Sequence, residues 1–396
     1  MTSTQTTPTR SGPAHGAARL PVVDALRGLA LLGILLVNMT LFKSAPSIEH
    51  LAATAIDGPW DRAAAVLVKV LGEGKFIGLF SLLFGFGVAT LAARRGSYVR
   101  RLAALGVIGA AHLVLVWFGD ILTTYALVGL ILLAFVNRTP RTLLATALGI
   151  LGTLSVVAVV GLGLLGLRAA TGSSVLVAAE RDITAADATE AARLTALYRT
   201  GGYLDLVGER AATPGGLLFG LAFSLVVLSM MLLGVYAARV GLFSGANEHR
   251  ARLRTLARVG IGVGLPLNVL VVVVQSAEGF FVVVAGQVLL MALAAPLLTV
   301  GLAAGGVLLY ERRRAPWLEA AGRLALSNYL TQSLVFSVVF YSYGLGLFGR
   351  VGAATGVILA LALFAVQLVV SRWWLARFGA GPVERVLRMA TYGGRR

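Results

Sequence analysis

The stretch Gly109-Ala-Ala-His112-Leu-Val-Leu-Val-Trp117-Phe-Gly119-Asp120-Ile-Leu-Thr-Thr-Tyr125-Ala126 lies inside a hydrophobic run from Leu102 to Val136. Its length and its central Phe-Gly-Asp turn read as a helical hairpin, with each arm apolar enough for lipid. Four histidines occur (His15, His50, His112 and His249), and of these only His112 has apolar neighbours on both sides for a helical turn or more. An ionisable side chain at membrane depth is costly, so it marks a functional site by default.

Working outward, the same apolar character extends over nearly the whole chain. Of 396 residues, 58% are hydrophobic and 13% charged, about half the charge of a soluble globular protein. An all-α, polytopic integral membrane protein is expected, with about ten transmembrane helices near 24–43, 76–93, 100–118, 121–137, 142–167, 213–238, 256–275, 279–309, 322–345 and 353–376. Residues 1–20, rich in Thr, Ser, Pro and Gly, read as a disordered cytoplasmic tail. Residues 21–394 read as a single transmembrane domain with an outer loop at 168–212. That loop has good helix formers in 185–198, a turn at Tyr198–Tyr203, and a position suited to capping an outward-facing site. The long span over 279–309 contains Pro296 and is expected to tilt or kink.

The net charge of +17 does not point to nucleic acid, because the basic residues fall in short loops on alternate sides. With the N-terminus inside, inner segments hold 23 Lys and Arg against 10 outside. This is the positive-inside pattern, with both termini cytoplasmic and the protein in the inner (plasma) membrane. Cysteine is absent, which removes disulfides, thiolate metal sites and a cysteine nucleophile. No spacing of metal ligands, phosphate loop or Gly-x-Ser-x-Gly elbow occurs. Gly161-Leu-Gly163-Leu-Leu-Gly166 matches a dinucleotide fingerprint only as text. It follows no strand, and its glycines suit close helix packing.

Asp24 and Arg27 are i,i+3 neighbours at the inner end of the first span and can pair. Asn38 lies eleven residues beyond Arg27, on almost the same helix face and about 16 Å further out. Arg101 and His112 repeat that spacing in the third span. Two such stripes suit a conduit in which arginines hold a cytoplasmic phosphate-bearing ligand and the polar groups meet its far end. The plainer alternative has Arg27 snorkelling and Asn38 tying helices together. Neutral imidazole takes up a proton near neutral pH, so His112 is the candidate base. Asp120 can orient it, cap the next helix, or do both. Glu73 and Lys75 flank Gly74 at an outer boundary, at the end of an amphipathic stretch over 60–75, and either line the outer mouth or form a solvated edge. Ser327-Asn328-Tyr329 and Gln332 crowd the entrance of the ninth span, suiting a lined cavity or interhelical hydrogen bonds. The tail Gly381–Gly393 reads as an amphipathic helix at the membrane surface.

Together, Asp24-Ala-Leu-Arg27-Gly28 with Asn38, Gly74-Lys75-Phe76, Arg100-Arg101-Leu102, His112, Trp117, Gly119-Asp120-Ile121-Leu122, Tyr125-Ala126, Gly322-Arg323 and Ser327-Asn328-Tyr329 resemble the YeiB-like family of bacterial multi-pass proteins. The Asp-x-x-Arg-Gly opening is distantly similar to that of transmembrane acyltransferases, among them lysosomal heparan-α-glucosaminide N-acetyltransferase. The resemblance implies transfer of an acyl group from cytoplasmic acyl-CoA, a co-substrate and not a tightly held cofactor, to a hydroxyl or amine near the outer face. It leaves the base between His112, which belongs to the nearer family's motif, and His50, which lies roughly where the heparan enzyme carries its histidine. His112, Asp120 and Asn38 are then the catalytic candidates. Arg27, Arg101 and Asp24 are assigned to CoA, and Glu73, Lys75, Tyr125 and Asn328 to the acceptor. The expected partners are the lipid bilayer and a small-molecule acceptor such as a sugar or metabolite, with a homodimer as an allowed assembly. The competing classes are a transporter or exporter of an anion or small molecule, and a non-catalytic envelope protein.

Overall fold

The computed structural model describes residues 20–47, 58–91, 95–170, 174–212, 217–276 and 279–393. The expected N-terminal tail before Leu20, and His50, lie outside the described residues. The described chain is helical throughout. Helix α1 is Pro21–Lys43, α2 Pro59–Leu71, α3 Lys75–Leu91, α4 Arg95–Leu115, α5 Leu122–Leu132 and α6 Pro140–Ala170. Next come α7 (Ser174–Thr200), α8 (Tyr203–Ala212), α9 (Leu217–Arg239), α10 (Arg250–Gly262) and α11 (Gly264–Gln275). Then α12 (Phe280–Leu289) passes through a π-helical turn at Leu290–Ala294 into α13 (Ala295–Arg312). The chain closes with α14 (Pro316–Arg323), α15 (Ala325–Phe340), α16 (Ala353–Phe378) and α17 (Pro382–Tyr392).

Among the described residues, seven helical segments are long and apolar enough to cross a bilayer: α1, α4, α6, α9, α10–α11, α12–α13 and α16. Two shorter apolar helices, α5 and α15, accompany them. The outward face of α6 carries Val156, Val157, Val159 and Val160, each more than half exposed. An apolar surface of that extent is stable against lipid and not against water. The chain is an all-α, polytopic membrane protein.

The boundaries differ from the sequence reading where tertiary contacts override local pattern. The segment expected at 322–345 is divided at Leu324 and ends at Phe340. There the Glu384 carboxylate of α17 accepts the backbone N–H of Leu326 at 2.8 Å and of Ser327 at 3.0 Å. An anion at a helix N-terminus satisfies its orphan donors and its dipole. The α17 tail is therefore docked on α4 and α15 as well as being amphipathic, since Arg100 Nε also donates to Thr391 O. The segment expected at 256–275 starts at Arg250 and is broken between α10 and α11. Pro296 is accommodated by the π turn just before it, which absorbs the lost N–H donor. Gly161, Gly163 and Gly166 meet nothing within 4 Å, so they face open surface and do not pack another helix closely.

The Asp-x-x-Arg-Gly motif has a steric explanation. A Cβ on Gly28 would lie 2.2 Å from Leu318 O, and one on Gly322 would lie 1.8 Å from Asp24 O. Helices α1 and α14 thus cross backbone to backbone, which fixes the height of Asp24 and Arg27. Gly28→Val is expected to lower stability by about 1–3 kcal/mol or more through overpacking. Melting of the purified variant in detergent tests this; an unchanged transition would show that the crossing relaxes freely.

Candidate functional site

The α4–α5 hairpin ends in a tight turn over residues 116–121. The backbone N–H groups of Val116 and Trp117 both donate to His112 O at 2.9 Å, closing the last turn of α4. The chain then doubles back and sets Asp120 against the imidazole, with His112 Nδ1 2.9 Å from Asp120 Oδ1. The second oxygen, Asp120 Oδ2, accepts the Thr123 N–H at 2.8 Å. One carboxylate therefore orients the ring and caps α5 at once. Its position at the start of α5 is stabilised by the helix dipole.

His112 is 4% exposed, and the Asp120 side chain is fully buried. A carboxylate can only accept, so Nδ1 carries a proton, and in the neutral ring Nε2 is the atom with the lone pair. That Nε2 is buried with no partner among the described residues. Aromatic rings pack around the imidazole. Tyr329 packs against the imidazole at 5.4 Å and Trp117 lies edge-on at 6.3 Å. Trp117, itself fully buried, stacks on Phe42 of α1 at 4.1 Å.

The segment expected to cap the site is a helical hairpin, α7–α8, lying over the 116–121 turn. Tyr203 Oη donates to Leu115 O at 2.9 Å, and Arg210 Nη1 donates to Val116 O. At its other edge Arg199 donates to Phe348 O at 2.8 Å and Gly349 O at 2.7 Å. Within the hairpin Arg193 bridges Glu190 and Glu209, and these hydrogen bonds hold the Glu190 carboxyl below its ordinary range. Arg210 was not singled out by periodicity, because its partner lies 94 residues away in sequence.

The remaining candidates fall into separate groups. Arg27 Nη1 donates to Asp24 Oδ1 at 3.2 Å and its Nη2 to Leu83 O at 3.4 Å, at the opposite end of α1 from Phe42. Arg101, at the same end, stands within electrostatic reach of Tyr98, Tyr392 and Glu384. Asn38 is half-buried, without a side-chain hydrogen bond among the described residues, and sits one helical turn before Phe42 on the same face of α1.

Glu73 and Lys75 are held elsewhere. Glu73 Oε1 accepts from Gln287 at 2.7 Å, while the fully buried Lys75 donates to Lys69 O at 3.0 Å. Together they lock the Gly72–Gly74 turn against α2 and α12. Burial beside this turn lowers the Lys69 ammonium from its ordinary value, with Glu73 partly offsetting the shift. Tyr125 shares a 2.7 Å hydrogen bond with Ser81 and donates to Ile77 O. Asn328 donates to Ala321 O and Ser371 Oγ, in a ladder continued by Gln367 and Gln332. The Lys75, Tyr125 and Asn328 side chains, expected at the acceptor, each hydrogen-bond a neighbouring helix in this structure. A cavity of about 570 Å³ opens at the Arg27 end, lined by Pro21, Phe243, Arg250, Tyr310 and Arg314 among others. His112 does not line it.

Comparison with known proteins places the chain. Residues 237–394 match the family described as "Protein of unknown function (DUF418)". The uncharacterized protein YxaH of Bacillus subtilis (strain 168) is 33% identical, with 94% of each chain covered. This chain belongs to the YeiB-like family. The uncharacterized protein YeiB of Escherichia coli (strain K12) is 29% identical, over 93% of this chain and 95% of that one. An uncharacterized 39.9 kDa protein of Bacillus acidopullulyticus is 27% identical over 94% of each. No solved structure matches. The matched family segment spans α10 to α17, whereas the His112 hairpin lies in the part shared with the full-length YeiB-like relatives.

Proposed function

We propose that this YeiB-like protein is an acyltransferase of the cell membrane, with His112 as general base. The observation that carries the reading is the buried His112–Asp120 pair, whose Nε2 has no partner among the described residues. Asp120 fixes the tautomer and stabilises the imidazolium that forms on proton uptake. In the reaction, Nε2 takes the proton from an acceptor hydroxyl or amine as its O or N attacks the thioester carbonyl. The C–S bond then breaks, the imidazolium returns its proton to the departing thiolate, and an ester or amide and free CoA result. Asn38, with its amide uncommitted among the described residues, donates to the developing oxyanion.

Ten spans are proposed, namely α1, α3, α4, α5, α6, α9, α10–α11, α12–α13, α15 and α16, with both termini cytoplasmic. The basic residues support this arrangement, since Arg27, Arg101, Arg250 and Arg314 all lie at the end where α1 begins. Arg27 and Arg101 are assigned to CoA phosphates at that end, with Asp24 orienting Arg27. The acceptor, a sugar or metabolite, enters near the α7–α8 hairpin.

Acetyl-CoA is expected to raise the melting temperature of the purified protein in detergent, and Arg27→Ala is expected to weaken that effect. Absence of any shift with CoA or acetyl-CoA, together with altered solute uptake or efflux in cells, would assign the protein to transport.

A further inference from the structure

Buried polar atoms without partners are uncommon in folded proteins, and four of the ten among the described residues gather in one region. His112 Nε2, Trp117 Nε1, Arg210 Nη2 and Tyr341 Oη are all buried without a hydrogen-bond partner. They lie around the 116–121 turn, linked by ring contacts from His112 to Trp117, Phe118, Tyr198 and Tyr341 at 4.7–6.3 Å. Beyond the base, the other three are donors.

Arg210 is the unusual member. It is a guanidinium only 4% exposed, on α8, where the hairpin meets the bundle. Its Nε donates to Leu206 O and its Nη1 to Val116 O, both neutral carbonyls. The adjacent carboxylate, Glu209, has its Oε1 and Oε2 taken by Arg193 at 2.7 and 2.9 Å. Tyr341, fully buried, and Tyr198 are its electrostatic neighbours. A buried cation whose hydrogen bonds go to neutral carbonyls is stabilised by an anion.

We propose that Arg210 and Tyr341 form an anion-recognition subsite for the acceptor, and that the acceptor carries a carboxylate. One guanidinium neutralises one charge, so a monoanion leaves the pocket balanced where a dianionic phosphate would not. A carboxylate has two acceptor oxygens, one for a guanidinium N–H and one for a phenol O–H. Held there, a hydroxy acid or uronic acid presents its hydroxyl toward His112, with Trp117 Nε1 as a further donor. This deepens the acyl-transfer reading and rests on it for the hydroxyl's fate, but not for binding.

Binding is therefore tested without CoA, by melting of the full-length protein in detergent with glucuronate, glycolate or neutral glucose. Glucuronate and glycolate are expected to stabilise and glucose is not. Arg210→Gln is expected to weaken the carboxylate effect about tenfold or more. Tyr341→Phe, which removes only an unpartnered hydroxyl, is expected to melt at or above wild type without ligand and to lose most of the carboxylate effect. It keeps the test open if Arg210→Gln does not fold. Stabilisation by neither carboxylate, stabilisation that survives these substitutions, or a destabilised ligand-free Tyr341→Phe would overturn the proposal. Loss of the CoA effect with the carboxylate effect intact would remove acyl transfer and leave the subsite standing.

Discussion

His112→Ala is expected to lower acyl transfer from acetyl-CoA by about 10²–10⁴-fold, the range associated with removing a positioned general base. The acetyl-CoA-induced melting shift is expected to persist, because the arginines assigned to CoA lie at the other end of α1. The substitution also leaves Asp120 Oδ1 buried without its 2.9 Å partner, which costs about 1–3 kcal/mol. Asp120 Oδ2 keeps its bond to Thr123 N, so the start of α5 is retained. A second variant separates stability from chemistry. His112→Gln offers Asp120 a side-chain N–H in place of the imidazole donor but no base. It is expected to recover part of the lost stability and none of the rate. Turnover and melting of both variants, measured on the same preparations, check the argument. Equal recovery of rate and stability in His112→Gln would mean that the histidine is a packing residue.

The second large effect is expected at Asp120. In Asp120→Asn the amide oxygen can still accept from Thr123 N, so the cap survives and the melting temperature stays near wild type. The amide N–H₂ then faces Nδ1, which must accept. The imidazole proton moves to Nε2, the atom needed as base, and the rate is expected to fall about 10²–10⁴-fold. Asp120→Ala loses both interactions. Its cost is about 0.5–2 kcal/mol for the cap, with about 1–3 kcal/mol more for the unpartnered Nδ1. The contrast between these two substitutions tests the double role of one carboxylate. If Asp120→Asn transfers acyl groups at the wild-type rate, the tautomer argument fails even if His112 proves essential.

How far the sequence reaches into this structure depends on the range of the interaction. The helical membrane fold is legible because its signal is local: apolar runs, alternating basic loops and few charges. The meeting of His112 and Asp120 is legible for the same reason. They are eight residues apart across one turn, and an aspartate just before a helix has few other places to put its carboxylate. The break at Leu324 carries no glycine or proline of its own; it is imposed by Glu384, 58 residues further along the chain from Leu326. The roles of Tyr125 and Asn328 are equally hidden, because a polar side chain in a membrane helix reads alike whether it faces a ligand or a neighbouring helix. The hydrogen bonds to Ser81 and Ser371 come from helices distant in sequence. Arg210 illustrates the limit most plainly. It lies in a loop rich in charge, and nothing nearby marks it as the one arginine there that is buried against the hairpin.

The most direct test is release of free CoA thiol from acetyl-CoA by purified protein in liposomes, supplied with hydroxy-acid and uronic-acid acceptors. Wild type is predicted to release CoA only when an acceptor is present, in step with its acylation, and His112→Ala is predicted to release almost none. Equal acceptor-dependent release by wild type and His112→Ala would contradict the assignment of His112 as the base.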